Sequence, residues 1–139
     1  MIRASILALA TLATSACGSF VSDGPNAPAT EAPGQAVRIP LGETVDIGGL
    51  SVRFVAVAED SRCPTGMSCV WEGRAGVRLV VGGTPALLTV PHGGPASADE
   101  PVSVSVGGRT LSATALHPYP GSAEATGGAR VEVEVVVSG

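Results

Sequence analysis

Arg130-Val131-Glu132-Val133-Glu134-Val135-Val136-Val137, close to the carboxyl end of a 139-residue chain, places a valine at every second position and glutamate or valine between. In an extended chain successive side chains point to opposite faces, so this spacing predicts a strand with Val131, Val133, Val135 and Val137 on one buried face. A helix would scatter the same four residues around its axis. The pattern recurs upstream. Val102, Val104 and Val106 alternate with Ser103 and Ser105, Val45 and Ile47 bracket Asp46, and Val37 and Ile39 bracket Arg38. Residues 52–58 are more continuously apolar, as a central strand covered on both faces would be, and residues 84–90 and 109–116 are weaker candidates. Gly48-Gly49, Gly82-Gly83, Gly107-Gly108 and Gly127-Gly128 separate these runs, and paired glycines tolerate the positive φ that tight hairpins require.

From Cys69 to Val81 the odd positions (Cys69, Trp71, Gly73, Ala75, Val77, Leu79, Val81) are apolar and the even ones include Glu72, Arg74 and Arg78. Read as one strand, kinked by a bulge at Gly73 or Gly76, this places Cys69 and Trp71 at the start of its inward face and makes Trp71 a core plug. No sustained 3.6-residue apolar stripe follows the amino-terminal segment. Seven to eight short strands predict an all-β fold, a small antiparallel β-sandwich of immunoglobulin-like or Greek-key type with one disulfide loop.

The amino terminus has a different character. Met1-Ile2-Arg3 is a short basic start, and residues 4–13 are almost wholly apolar. That is the layout of an export signal, too short for a bilayer-spanning helix, which needs about 20 residues. The run ends in Thr14-Ser15-Ala16-Cys17-Gly18, which resembles the lipobox of bacterial lipoproteins, with Thr14 where that family usually has Leu, Val or Ile. The resemblance implies a signal over residues 1–16, a lipidated Cys17 as first residue of the mature chain, and membrane anchoring through its acyl chains. Gly18 in place of Asp implies, by the family's sorting rule, the outer membrane. The alternative is an ordinary signal peptide, with Cys17 a free thiol or removed. Residues 17–35 form a tether rich in Pro, Ala and Gly, with a root-mean-square span of about 25 Å. Residues 36–139 are then the single sandwich domain, of ordinary domain size.

The net charge is −4, and −5 once Arg3 departs with the signal, leaving seven Arg against twelve acids and no Lys. The arginines are scattered singly, which excludes a phosphate-binding patch and with it nucleic acid as partner. No nucleophile elbow, zinc-binding His-Glu-x-x-His or phosphate-cradling glycine loop occurs, so the sequence offers no catalytic residues, metal ligands or cofactor.

Its chemistry concentrates in Asp60-Ser61-Arg62-Cys63-Pro64-Thr65-Gly66-Met67-Ser68-Cys69-Val70-Trp71-Glu72-Gly73. Export favours an oxidised Cys63–Cys69 pair, and with Cys17 lipidated the odd cysteine is explained. Pro64 and Gly66 suit a turn inside the ring, and Asp60 is placed to accept backbone N–H bonds. With Ala75 and the distant Pro118-Tyr119-Pro120, this segment resembles a family of small exported bacterial proteins, many of them lipoproteins. The resemblance implies an all-β domain and brings no catalytic residues. Arg62, Thr65 and Met67 are expected to project as a pre-organised binding loop based on Trp71. Two alternatives stand beside it. One is a protease-inhibitor-like loop presenting Thr65 or Met67. The other is a metal-dependent enzyme or metal-binding protein using His92 and His117, with Asp60 or Glu72 as the acid.

Overall fold

A computed structural model describes residues 30–92 and 99–139. Cys17, the residues read as signal, and most of the segment read as tether lie outside the described residues. The strands are β1 (Thr30–Glu31), β2 (Ala36–Pro40), β3 (Thr44–Ile47), β4 (Leu50–Asp60), β5 (Ala75–Val81), β6 (Thr84–Val90), β7 (Ser103–Val106), β8 (Arg109–His117) and β9 (Glu132–Ser138), with a single helical turn α1 (Ala123–Thr126) before β9. One sheet has the order β1-β3-β4-β5-β6 and the other β2-β9-β8-β7. Every pairing is antiparallel except the two-residue β1 against β3. The sheets pack face to face as the expected sandwich. Chain order follows them as two meanders, β3 to β6 and β7 to β9, with β2 closing beside β9. The sandwich is as expected, but this path is simpler than the Greek-key or immunoglobulin-like connection expected with it.

The alternation produces the core directly. Val133, Val135 and Val137 of β9 are buried, as are Val37 and Ile39 of β2 and Val45 and Ile47 of β3. The β9 and β2 residues face Val45 and Ile47 together with Val52, Phe54, Val77, Leu79 and Val81, all from the opposite sheet. Phe54, fully buried, is the core's aromatic plug, and such burial contributes about 2–3 kcal/mol.

Four expectations need correction. β5 begins at Ala75 rather than Cys69, so the inward parity counted from Cys69 does not reach the core. The register shifts fall in β4, between Phe54 and Ala56 and between Val57 and Glu59, and in β8 between Ala113 and Ala115, not at Gly73 or Gly76. β4 is covered on one face only: Val55 is exposed, because among the described residues no third layer lies outside the sheet. Thr30 and Glu31, read as tether, pair with Asp46 and Ile47. The helical turn was also unforeseen; Ser122 caps it, its Oγ accepting from the Ala125 N–H at 3.2 Å, with no apolar face to announce it.

The sandwich has two unlike ends. At one lie the glycine turns 48–49, 82–83 and 107–108, all at positive φ, and here the Arg109 guanidinium bonds the Ile47 and Gly48 carbonyls. Thr30 enters and Ser138 leaves at this end, Ser138 opposite Thr110. At the other end β4 stops at Asp60 opposite Ala75, and β8 at His117 opposite Glu132. The 11 residues of β4 separate the two ends by about 35 Å at an ordinary strand rise.

Candidate functional site

Beyond Asp60 the backbone pairing continues without the sheet. Ser61 N–H donates to the Arg74 carbonyl and Cys63 N–H to the Glu72 carbonyl, both at 2.8 Å. This ribbon ends in the ring closed by the Cys63–Cys69 disulfide, whose Cα atoms are 5.9 Å apart, within the usual range. Inside the ring Met67 N–H donates to the Pro64 carbonyl at 3.1 Å and Gly66 has φ +82°, the geometry of a turn needing glycine at its third position.

The ring is clamped by residues 117–121. Thr65 N–H donates to the Pro120 carbonyl at 2.9 Å, and the Tyr119 hydroxyl donates to the Cys63 carbonyl at 2.6 Å. That hydroxyl has one proton, so its second contact, 2.9 Å from His92 Nε2, makes the histidine nitrogen the donor. The His92 and Tyr119 rings stand 4.7 Å apart, centre to centre, at 39°.

Arg62 does not project. It is 6% exposed and turns back beneath the ring. Its Nε donates to Asp60 Oδ1 at 2.8 Å and its Nη2 to Oδ2 at 2.7 Å, while Nη1 donates to the Leu116 carbonyl at 2.6 Å and Nη2 also to the Pro118 carbonyl at 3.3 Å. Its guanidinium carbon lies 5.0 Å from the Tyr119 ring centre. The reason is local: where β8 gives way to 118–121, carbonyls face the core end without strand partners, and a planar fork of donors satisfies them. Asp60 also accepts the Arg62 N–H, the turn read from the sequence.

Burial alone would push the Asp60 carboxyl upward, but the hydrogen bonds and charge of Arg62 outweigh it and hold the group below its ordinary value of 3.8. A carboxyl with a lowered folded-state pKa stabilises the fold fully above its unfolded value, and that contribution disappears as pH falls through the folded value. Stability is therefore expected to decline below about pH 4. In the Asp60→Asn variant this part of the decline should be missing from urea midpoints measured between pH 2 and 6.

Trp71 is likewise not a core plug: it is 72% exposed. Gly73, at φ +73°, turns the chain between it and β5, so strand parity is lost. Met67 is 67% exposed as expected, Thr65 is exposed, and Val70, which the sequence reading passed over, stands fully free at 105%. Between the ring, Trp71, Glu72, His92 and Tyr119 runs an open groove of about 530 Å³. Tyr119 and His92 thus join the site from 56 and 27 positions away from their partners. The sequence signal for Tyr119 was its place in the Pro-Tyr-Pro element of the resemblance.

The enzyme alternative requires His92, His117 and an acid to converge. Both histidines border a hollow of about 130 Å³, yet their nitrogens face different partners. His92 meets Tyr119, whereas His117 Nε2 makes no hydrogen bond among the described residues and lies 3.6 Å from Glu134 Oε2. Both Asp60 oxygens are taken by Arg62. Among the described residues no three His, Cys, Asp or Glu side chains form a group able to hold a metal ion.

Because the ring is also held by Thr65–Pro120 and Tyr119–Cys63 bonds, replacing both Cys63 and Cys69 with serine is expected to remove about 2 kcal/mol, the loop-entropy value, and leave the sandwich folded. Urea unfolding with far-ultraviolet circular dichroism measures both. A loss above about 4 kcal/mol would mean that the disulfide organises more than its own loop.

What fold and site define together is an all-β sandwich with a cystine-braced groove at one end. Compared with known protein families, curated proteins and solved structures, the chain matches none.

Proposed function

We propose that the protein is a lipid-tethered component of the bacterial envelope, anchored at the outer membrane through Cys17, whose sandwich domain binds a ligand through the groove beside the Cys63–Cys69 ring rather than catalysing a reaction. The observation that carries this reading is the exposure of Met67 and Trp71, two large apolar side chains that line the groove, with exposed Val70 beside them in sequence, on a loop fixed by a disulfide and by hydrogen bonds to 117–121. Exposed apolar clusters on rigid supports mark recognition surfaces, and a loop already ordered loses little entropy on binding. The groove opens at the end remote from Thr30, so a tether joined there leaves it unobstructed.

The inhibitor reading is less favoured. A protease reads its target as an extended strand, whereas the Pro64–Met67 bond folds Thr65 and Gly66 into a turn.

Photo-crosslinking in living cells tests the proposal. A photoreactive residue at Thr65 or Met67, both lining the groove, is expected to give adducts that the same residue at Arg53 or Arg78, on the outer face of β4 and β5, does not. Equal yields from all four positions would reject the groove as a binding surface. Intact-mass measurement of membrane-extracted protein should show acyl chains on Cys17, and an unmodified thiol there would reject the anchor.

A further inference from the structure

The chemistry of the groove points to its ligand class, an inference that rests on the binding reading above. We propose that it takes a neutral oligosaccharide, one sugar ring stacked on the Trp71 indole and its hydroxyls bonded along the groove. A pyranose ring is amphiphilic, with a flat C–H face and a rim of hydroxyls. Its site therefore needs an open aromatic face beside several unengaged polar groups. Trp71 supplies the face, with most of the indole in solvent. The Thr65 and Ser68 hydroxyls and the Glu72 carboxylate line the same groove, and none of the three side chains makes a hydrogen bond or ion pair among the described residues. His92, donating to Tyr119 through Nε2, still presents its other ring nitrogen.

Charge narrows the choice. No arginine lines the groove, and Arg62 behind it is engaged with Asp60 and two carbonyls. Phosphorylated or carboxylated ligands would thus meet only the negative Glu72. A small ammonium ion would suit Trp71 and Glu72, but cation cages enclose their guest, while this groove is open and its volume of about 530 Å³ suits a ligand of several linked rings. A peptide bound by strand addition needs a free strand edge. Here the groove lies at strand ends, where residues 61–63 and 72–74 already bond one another.

Trp71 is the chain's single tryptophan, so its fluorescence reports on this site alone. The full chain would be titrated with a panel of neutral oligosaccharides spanning glucose, galactose, mannose and N-acetylglucosamine linkages, with glucose 6-phosphate and choline as charged probes. At least one neutral oligosaccharide is expected to shift the emission to shorter wavelength saturably and to protect it from acrylamide. Calorimetry should show affinity for that sugar falling about tenfold or more in Trp71→Ala and several-fold in Glu72→Gln, each with an unchanged thermal midpoint. A response to choline or glucose 6-phosphate alone, or to none of the probes, would overturn the sugar assignment. If Met67 cross-linking stays position-specific in that case, the binding reading survives without it; if it is not position-specific either, both fall.

Discussion

Arg62→Ala is expected to lower the unfolding free energy by about 3–4 kcal/mol, among the largest losses from a single side chain in this domain. The side chain is 4% exposed, and its removal leaves a void under the ring, strips the Leu116 and Pro118 carbonyls of donors, and frees Asp60 from its counter-charge. Buried polar groups that lose their partners keep the full desolvation cost. Arg74→Ala is the control. That guanidinium is half exposed and pairs with Glu59 and Glu100, so its loss should stay below about 1 kcal/mol. Arg62→Lys keeps the charge but not the fork of donors and should restore only part of the difference. Urea midpoints for the three variants decide the matter. Equal, small effects at positions 62 and 74 would show that the network under the ring is not what holds it.

Gly73→Ala should be comparably damaging for a backbone reason. At φ +73° any L side chain is strained, and a Cβ built there lies 2.5 Å from the Ser61 carbonyl carbon, closer still to its oxygen, and 2.9 Å from Arg62 Cα. The Ser61–Arg74 pairing must open to admit it, taking with it the path into the ring. A loss of about 4 kcal/mol, or an unfolded loop end, is expected. Gly83→Ala has a similar φ of +84° but nothing within 4 Å, so it isolates the strain alone, about 1 kcal/mol. Matching losses at the two glycines would remove the steric argument.

The sandwich was legible because period-two alternation and burial are one phenomenon: Val133, Val135 and Val137 occupy alternate positions and one inner face. Glycine pairs marked the hairpins for an equally local reason, and the expectation of export pointed to the disulfide. The site was legible only in part. Counting parity from Cys69 to Val81 assumes an unbroken extended chain, and the positive φ of Gly73 breaks it, which is why the indole faces water. Arg62 was read as projecting because charge alone suggests the surface, while the carbonyls that bury it belong to Leu116 and Pro118, more than fifty positions away. One clue was available. Asp60 and Arg62 are two residues apart, and in extended chain such neighbours share a face, the arrangement an ion pair requires. Residues 52–58 misled through composition: a run without charges at its centre looks doubly covered, yet among the described residues no helix packs outside β4 and Val55 meets solvent.

Thr30 and Ser138 share the glycine-turn end, so the domain can be gripped at either residue without covering the groove at the opposite end. A fusion joined there would leave the indole, thioether and cystine open to solvent.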